Sequence, residues 1–449
     1  MHTVDQLSAD LAAGRTTSAA LVEQALSRIA DPAGEGPRAF TKVYADLARA
    51  EAAHSDRLRR AGVVRSPVEG LAVSVKDLFD VAGDVTRAGS RILADAPAAA
   101  SDAPAVARLR AAGAVIVGRT NMVEFAFGVI GANPHYGTPR SPYDRTTGRS
   151  PGGSSSGAGV AQADGMCAMA LGTDTRGSIR IPAAFNGVTG FKPTARRVPR
   201  EGAFPLSYTL DSIGPLANSV ACCATFDAIL AGEPPSALPG IPASRLRLMV
   251  PRCGAIEDLD RDVGAAFERA LSALSRAGAA VVEVKMLAFD RQGEYFRSGG
   301  FAGAESFAIH RRWLDRVGEY DPRIGQRIAL GQALSGADYV DLLRLRAEYI
   351  REVEAALGAF DAFLMPTAPC VPPALAECTA SDEAYARWNL RILRNVGLVN
   401  FLDGCAASLP CHEAGGAPVG LSVCGTAMSD RRTLAVSATI EAALAGRGH

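Results

Sequence analysis

The chain has 449 residues, of which 48% are hydrophobic and 21% charged, a composition that describes a folded globular protein with ample material for a large core. Lysine plus arginine balances aspartate plus glutamate, 47 against 47, so no net field draws the chain toward nucleic acid or an anionic membrane. The start "MHTVDQLSADLAAG" lacks a basic head and an apolar stretch, and no run of about 18 apolar residues occurs, so a cytoplasmic location is expected. Nine cysteines without a Cys-x-x-Cys unit or zinc-finger spacing read as reduced, mostly buried thiols, with no metal or other cofactor implied.

In chain order, "TVDQLSADLAAG" and "TSAALVEQALSRI" carry helical periodicity with hydroxyl caps. "GLAVSVKDLFD", residues 70 to 80, predicts a short apolar strand that delivers Lys76 at its end. "SDAPAVARLRAAGAVIVGRTN" predicts a helix, a glycine stop and the buried strand "AVIVG". A small-residue helix near 160 leads to the strand "CAMALG", after which Gly172, Thr173 and Gly177 allow a curl before "SIRIPAAF" turns helical. "RLRLMV" and "AAVVEVKM" flank an amphipathic helix, and residues 287 to 358 read as mainly helical. "FDAFLMPTAP" and "APVGLSVCG" predict late strands, and "DRRTLAVSATIEAAL" a closing helix. Helices alternating with strands, without repeats or a long linker, indicate one large α/β unit with a helical insertion.

Two serines compete for attention. "GSSSG" at 153 to 157 matches the G-x-S-x-G elbow with Ser155 as nucleophile, but that motif requires an apolar strand running into it, and "TPRSPYDRTTGRSP" is not one. Ser178 follows a credible buried strand; it either caps the next helix or stands where converging backbone amides could hold an oxyanion. None of the six histidines sits in a triad-like setting. A lysine can serve as base if burial keeps its amine neutral, and Lys76 is best placed for that, although a strand-end lysine is also at home on a solvated surface.

"PGGSSSGAG", "LGTDTRGSIRIPAAFNGVTGFKPT" and "AVSVKDLFDVAG" together resemble the amidase signature family, serine hydrolases with a Ser, cis-Ser, Lys triad. "GRTNMVEFAFGVIGANPHYGTPRSPYD", "LDSIGPLANSV", "FDAFLMPTAP" and "GAPVGLSVCG" follow in family order, from about residue 65 to 445. The resemblance implies one domain over residues 1–449, a central mixed β-sheet covered by helices on both faces. Within it would lie N-terminal helices (1–62), core motifs (65–230) and a variable helical insertion (287–358). By position, it makes Ser178 the nucleophile, Ser154 the bridging serine behind a cis peptide and Lys76 the base. The amides of Thr175, Arg176, Gly177 and Ser178 would form the oxyanion hole, with Ser155, Asp174 and Arg180 fixing the geometry behind them.

The family usually has two glycines before the nucleophile, whereas this chain reads "DTRGS". Arg176 is expected to keep ordinary backbone angles, and the sharper reading has it border the pocket and favour a carboxylate-bearing substrate. The aromatic stretch Tyr295, Phe296, Phe301, Phe307 and Trp313 either lines an acyl pocket or forms the core of the insertion. The implied activity is hydrolysis of a small carboxamide through an acyl-enzyme, with no nucleic-acid or membrane partner; the reading admits a homodimer. Two rival readings stand beside it: a glutamine-hydrolysing subunit of an aminoacyl-tRNA amidotransferase, and a non-catalytic protein using the Gly/Ser loop as an anion or nucleotide nest.

Overall fold

In the computed structural model, which describes residues 2–446, β2 (Ala72–Lys76) is the strand around which the site is organised. All five of its residues are buried, as expected of a strand covered on both faces. It lies between parallel neighbours, β3 (Val115–Thr120) and β4 (Met169–Asp174). Alternation at period two sends Val73, Val75, Ile116 and Leu171 into one hydrophobic cluster and Ala72, Val115, Val117 and Ala170 into another, so the sheet is the partition between two cores.

The remaining strands are β1 (Phe40–Val43), β5 (Thr189–Lys192), β6 (Ser212–Ala217), β7 (Arg247–Arg252), β8 (Ala280–Lys285), β9 (Ala362–Pro366), β10 (Cys405–Pro410) and β11 (Gly420–Gly425). They form one sheet in the order β1-β3-β2-β4-β6-β5-β10-β11-β9-β7-β8. Pairing is parallel at β3-β2-β4 and at β9-β7-β8, and antiparallel from β4 through β6, β5, β10 and β11 to β9. The result is a single α/β domain built on a mixed sheet. Its β8 edge is blunted by exposed Glu283 and Lys285.

The sequence reading holds for the elements it named, among them the helix Arg261–Arg276, the closing helix Asp430–Leu444 and the long helix Gly336–Leu357 within the insertion. It did not foresee β1, which falls among the helices expected over residues 1–62 and pairs antiparallel with β3. Nor did it foresee β5, β6 and β10. β4 also runs further than expected: Gly172, Thr173 and Asp174 are paired with Gly214, Ile213 and Ser212, so the curl begins only at Thr175. Among the described residues, no helix is long and apolar enough to cross a membrane.

The helix Ser156–Ala163 packs unusually close to its neighbours because it is built from small residues. A Cβ added at Gly157 would stand 2.2 Å from the Ala39 carbonyl oxygen and 2.7 Å from the Asn121 amide nitrogen. That close approach brings the loop ahead of the helix, with Ser154 and Ser155, down onto the ends of β2 and β4.

Candidate active site

Lys76 closes β2 with its side chain fully buried. Its Nζ donates to Ser154 Oγ at 2.7 Å and to Thr173 Oγ1 at 2.8 Å. Burial lowers its pKa to about 7 from an ordinary 10.5, against the opposing pull of Asp211 and Asp174. Of the other lysines, Lys42 and Lys285 are at the surface. Lys192 is buried but donates to the carbonyls of Pro193 and Gly404, at 2.8 and 2.6 Å, which accounts for it as a structural tie.

Ser154 follows a cis peptide bond from Gly153 and is fully buried. Its carbonyl accepts from the Val123 amide at 3.0 Å, which ties the loop to the far side of the site. Ser155 donates its amide to the Ser178 carbonyl at 3.3 Å, so the two serine-bearing loops touch through their backbones. The Ser155 hydroxyl points to the Thr173 carbonyl at 3.4 Å, and the residue has no exposed surface. This orientation does not suit a nucleophile elbow, whose serine faces the cavity.

Ser178 borders a small cavity of about 20 Å³, with room for about one water, together with Thr175, Arg176, Phe127 and Arg327. A larger cavity of about 700 Å³ reaches Thr173 and Asp211 from the other side but does not include Ser178. Of the two, the small cavity is the one that Ser178 borders.

The turn leading to Ser178 is shaped by one carboxylate. Asp174 accepts from the amides of Gly177 at 2.7 Å and Ile179 at 3.2 Å, and forms a fully buried ion pair with Arg180 at 3.0 Å. Asn400 bridges the pair, accepting from Arg180 at 2.6 Å and donating to Asp174 at 2.9 Å. The Arg180 guanidinium and these donors hold the Asp174 carboxyl far below its usual range, although burial pushes the other way. Asp174 and Arg180 lie behind the loop that leads to Ser178. Asn400, some 220 residues on, was not foreseen, because nothing in "VNFLDG" announces it.

One expectation needs correction. Of the four amides assigned to an oxyanion hole, that of Gly177 is already committed to Asp174, so it cannot also point at substrate. The amides of Thr175, Arg176 and Ser178 have no acceptor among the described residues. Gly177 instead supplies backbone freedom: its φ is +103°, and a Cβ there would stand 2.4 Å from Val396 Cγ2. Arg176 is absent from the residues with positive φ, as expected for a side chain replacing glycine.

Arg176 borders the cavity, and its guanidinium lies 3.7 Å from the centroid of the Phe296 ring. Of the aromatic stretch, Tyr295 and Phe301 are core residues packed with Tyr349 and Phe401, Trp313 packs on Phe204, Phe307 is half-buried beside Gly331, and Phe296 meets the site through Arg176. Thr173, the second acceptor for Lys76, was missed because "GTDT" was read as turn. The strand's alternation would have placed Thr173 on the same face as Leu171, with no hint of the amine it meets.

A buried lysine amine beside a serine hydroxyl, on a large mixed α/β sheet, is an arrangement compatible with hydrolytic chemistry. The chain matches the Amidase family over residues 20–434, and it belongs to that family. It is 39% identical over 414 residues to a 2-amino-5-chloromuconic acid deaminase of Comamonas testosteroni, covering 90% of this chain and 87% of that one. It is 33% identical over 468 residues to one of the polypeptides of the glutamyl-tRNA(Gln) amidotransferase of Symbiobacterium thermophilum, covering 95% and 93%. A crystal structure of an amidase superposes with a TM-score of 0.88 at 35% identity, covering all of both chains. The protein is accordingly an enzyme acting on carbon–nitrogen amide bonds.

Proposed function

We propose that the enzyme hydrolyses a small carboxamide through an acyl-enzyme on Ser178, with Ser154 and Lys76 as the proton relay. The observation that carries this reading is the fully buried Lys76 amine, of pKa about 7, donating to Ser154 Oγ. Neutral Lys76 takes the Ser154 proton as Ser154 takes that of Ser178, whose Oγ bonds to the amide carbon. The carbonyl π electrons move to oxygen, and the amides of Thr175, Arg176 and Ser178 stabilise that oxyanion; one such donor is commonly worth about 3 to 4 kcal/mol. On collapse the carbon–nitrogen bond breaks, and the relay returns a proton to the leaving nitrogen. Water then attacks the ester, with the same relay accepting its proton, and releases the carboxylic acid and Ser178.

Ser155, Asp174 and Arg180 are positioning residues in this scheme: they hold the two loops and touch no reacting atom. The deaminase relative supports a small molecule as substrate. The amidotransferase relative favours a second reading, in which the chain is the glutamine-hydrolysing member of a complex; glutaminase activity together with co-purification of a partner would select it.

The test is intact-mass analysis after reaction with a fluorophosphonate, with the adduct mapped by peptide, followed by turnover on a panel of amides. A single adduct on Ser178, abolished in Ser178→Ala, is expected. An adduct on Ser155, or full turnover by Lys76→Met, overturns the reading.

A further inference from the structure

The cavity that Ser178 borders is also lined by two arginines, Arg176 from the turn after β4 and Arg327 from the helix Pro322–Leu330. Neither has a carboxylate within ion-pair distance among the described residues. Arg176 stacks on the face of Phe296, and its buried Nε has no hydrogen-bond acceptor among the described residues. Arg327 donates one bond to the Phe127 carbonyl at 2.9 Å and lies 4.4 Å from that residue's ring centroid. The hydroxyl of Tyr385, also buried without a partner, lies against Gly128 in the same wall.

The two fully buried arginines are arranged differently. The buried guanidiniums of Arg119 and Arg180 each meet a carboxylate, Asp77 and Asp174, at 2.9 and 3.0 Å. Arg176 and Arg327 are half-buried, and withdrawing a guanidinium from water without an anion costs free energy, the more so with a second one lining the same cavity. The strain registers in their acidity: burial lowers Arg176 to about 9, with repulsion from Arg327 adding to it, and burial lowers Arg327 as well. A pair of guanidiniums presents forked donors that match the two oxygens of one carboxylate.

We propose that Arg176 and Arg327 form the receptor for a second, non-reacting carboxylate of the substrate, so that the enzyme acts on half-amides of short dicarboxylic acids. The inference rests on the reading of Ser178 as nucleophile. The substrate is short because both arginines and Ser178 border one cavity, so the carboxylate and the scissile carbonyl are a few bonds apart. About 20 Å³ is less than such a molecule needs, so the wall must yield as it enters. The arginines suit this, since each is held by a ring rather than pinned by a carboxylate, and a bound anion replaces the stacking with charge-assisted hydrogen bonds.

The test compares kcat/KM for succinamate and malonamate with that for the neutral isosteres butanamide and propanamide, in the wild type, Arg327→Met, Arg176→Met and Arg327→Lys. The wild type should prefer the acidic amides, and each Met variant should lose about 10- to 100-fold more on them than on the neutral amides, with partial recovery in Arg327→Lys. Equal losses on both classes, or a wild type preferring neutral amides, overturns the proposal. Thermal shift of the wild type covers the case of misfolded variants. Succinate should stabilise it and butanoate should not, whereas equal stabilisation by inorganic phosphate reduces the site to a general anion contact and sinks the assignment. Turnover of neutral amides with a Ser178 adduct but no acid preference defeats this inference alone; no turnover and no adduct defeats the reading of Ser178 itself.

Discussion

Replacing Lys76 by methionine should abolish turnover while changing stability in a way that depends on pH. Methionine keeps most of the buried stem but removes the charge and the bonds to Ser154 and Thr173. Below about pH 7 the lysine is protonated in both folded and unfolded chains, and the folded state bears the full cost of burying it. A pKa lowered from 10.5 to about 7 corresponds to on the order of 5 kcal/mol. Between pH 7 and 10.5 the folded amine is neutral while the unfolded one still holds its proton, so wild-type stability rises with pH and the deficit shrinks. From pH 6 to pH 9 the change is on the order of 3 kcal/mol. The lost hydrogen bonds cost the variant about 1 to 3 kcal/mol at every pH and cancel from the comparison. With an unfolding entropy of about 2 cal/mol/K per residue, a chain of this length converts 3 kcal/mol into about 3 °C. Paired calorimetric scans should therefore show the variant's Tm advantage over wild type falling by about 3 °C between pH 6 and pH 9. A difference that stays constant, or grows with pH, refutes the assignment of a buried amine of lowered pKa.

Other outcomes follow from the same geometry. Initial rates on a neutral amide should fall on the acid side of about pH 7, as Lys76 gains its proton, and Asp211→Asn should move that limb to lower pH by removing a charge that favours the ammonium; an unmoved or raised limb would count against the coupling. Asp174→Ala leaves Arg180 buried without its partner and frees the Gly177 amide, so Tm should drop by the equivalent of about 3 to 5 kcal/mol and turnover should fall with it. Gly157→Ala drives a methyl toward the Ala39 carbonyl and should cost about 1 to 3 kcal/mol, read as a lowered Tm.

The parts of the fold that the sequence announces are those whose residues are uniform in character. β2, β3 and β4 are runs of apolar residues that can only be strands covered on both faces, and Lys76 and Ser178 are found by following two of them to their ends. β6 escapes notice because Pro215 sits within it, opposite Leu171 in the middle of the sheet, where a missing amide argues against a strand. β10, "CAASLP", and β5, four residues long, have too few large side chains to signal themselves. The long-range members of the site were hidden for a different reason. Asn400 and Arg327 matter only through what the chain brings against them, and no local pattern encodes a contact made more than a hundred residues away. The commitment of the Gly177 amide was equally invisible, since an aspartate three residues upstream can turn inward or outward without any change in the letters.

Lys76, Ser154, Arg176 and Ser178 come from a span of about a hundred residues on and around β2 and β4, whereas Arg327, Ala302 and Leu393, which line the same cavity as Arg176 and Ser178, come from the later helices. The cavity is thus walled by two separate stretches of one polypeptide. Changes in the later stretch can therefore reshape the wall of the cavity without disturbing the contact of Lys76 with Ser154.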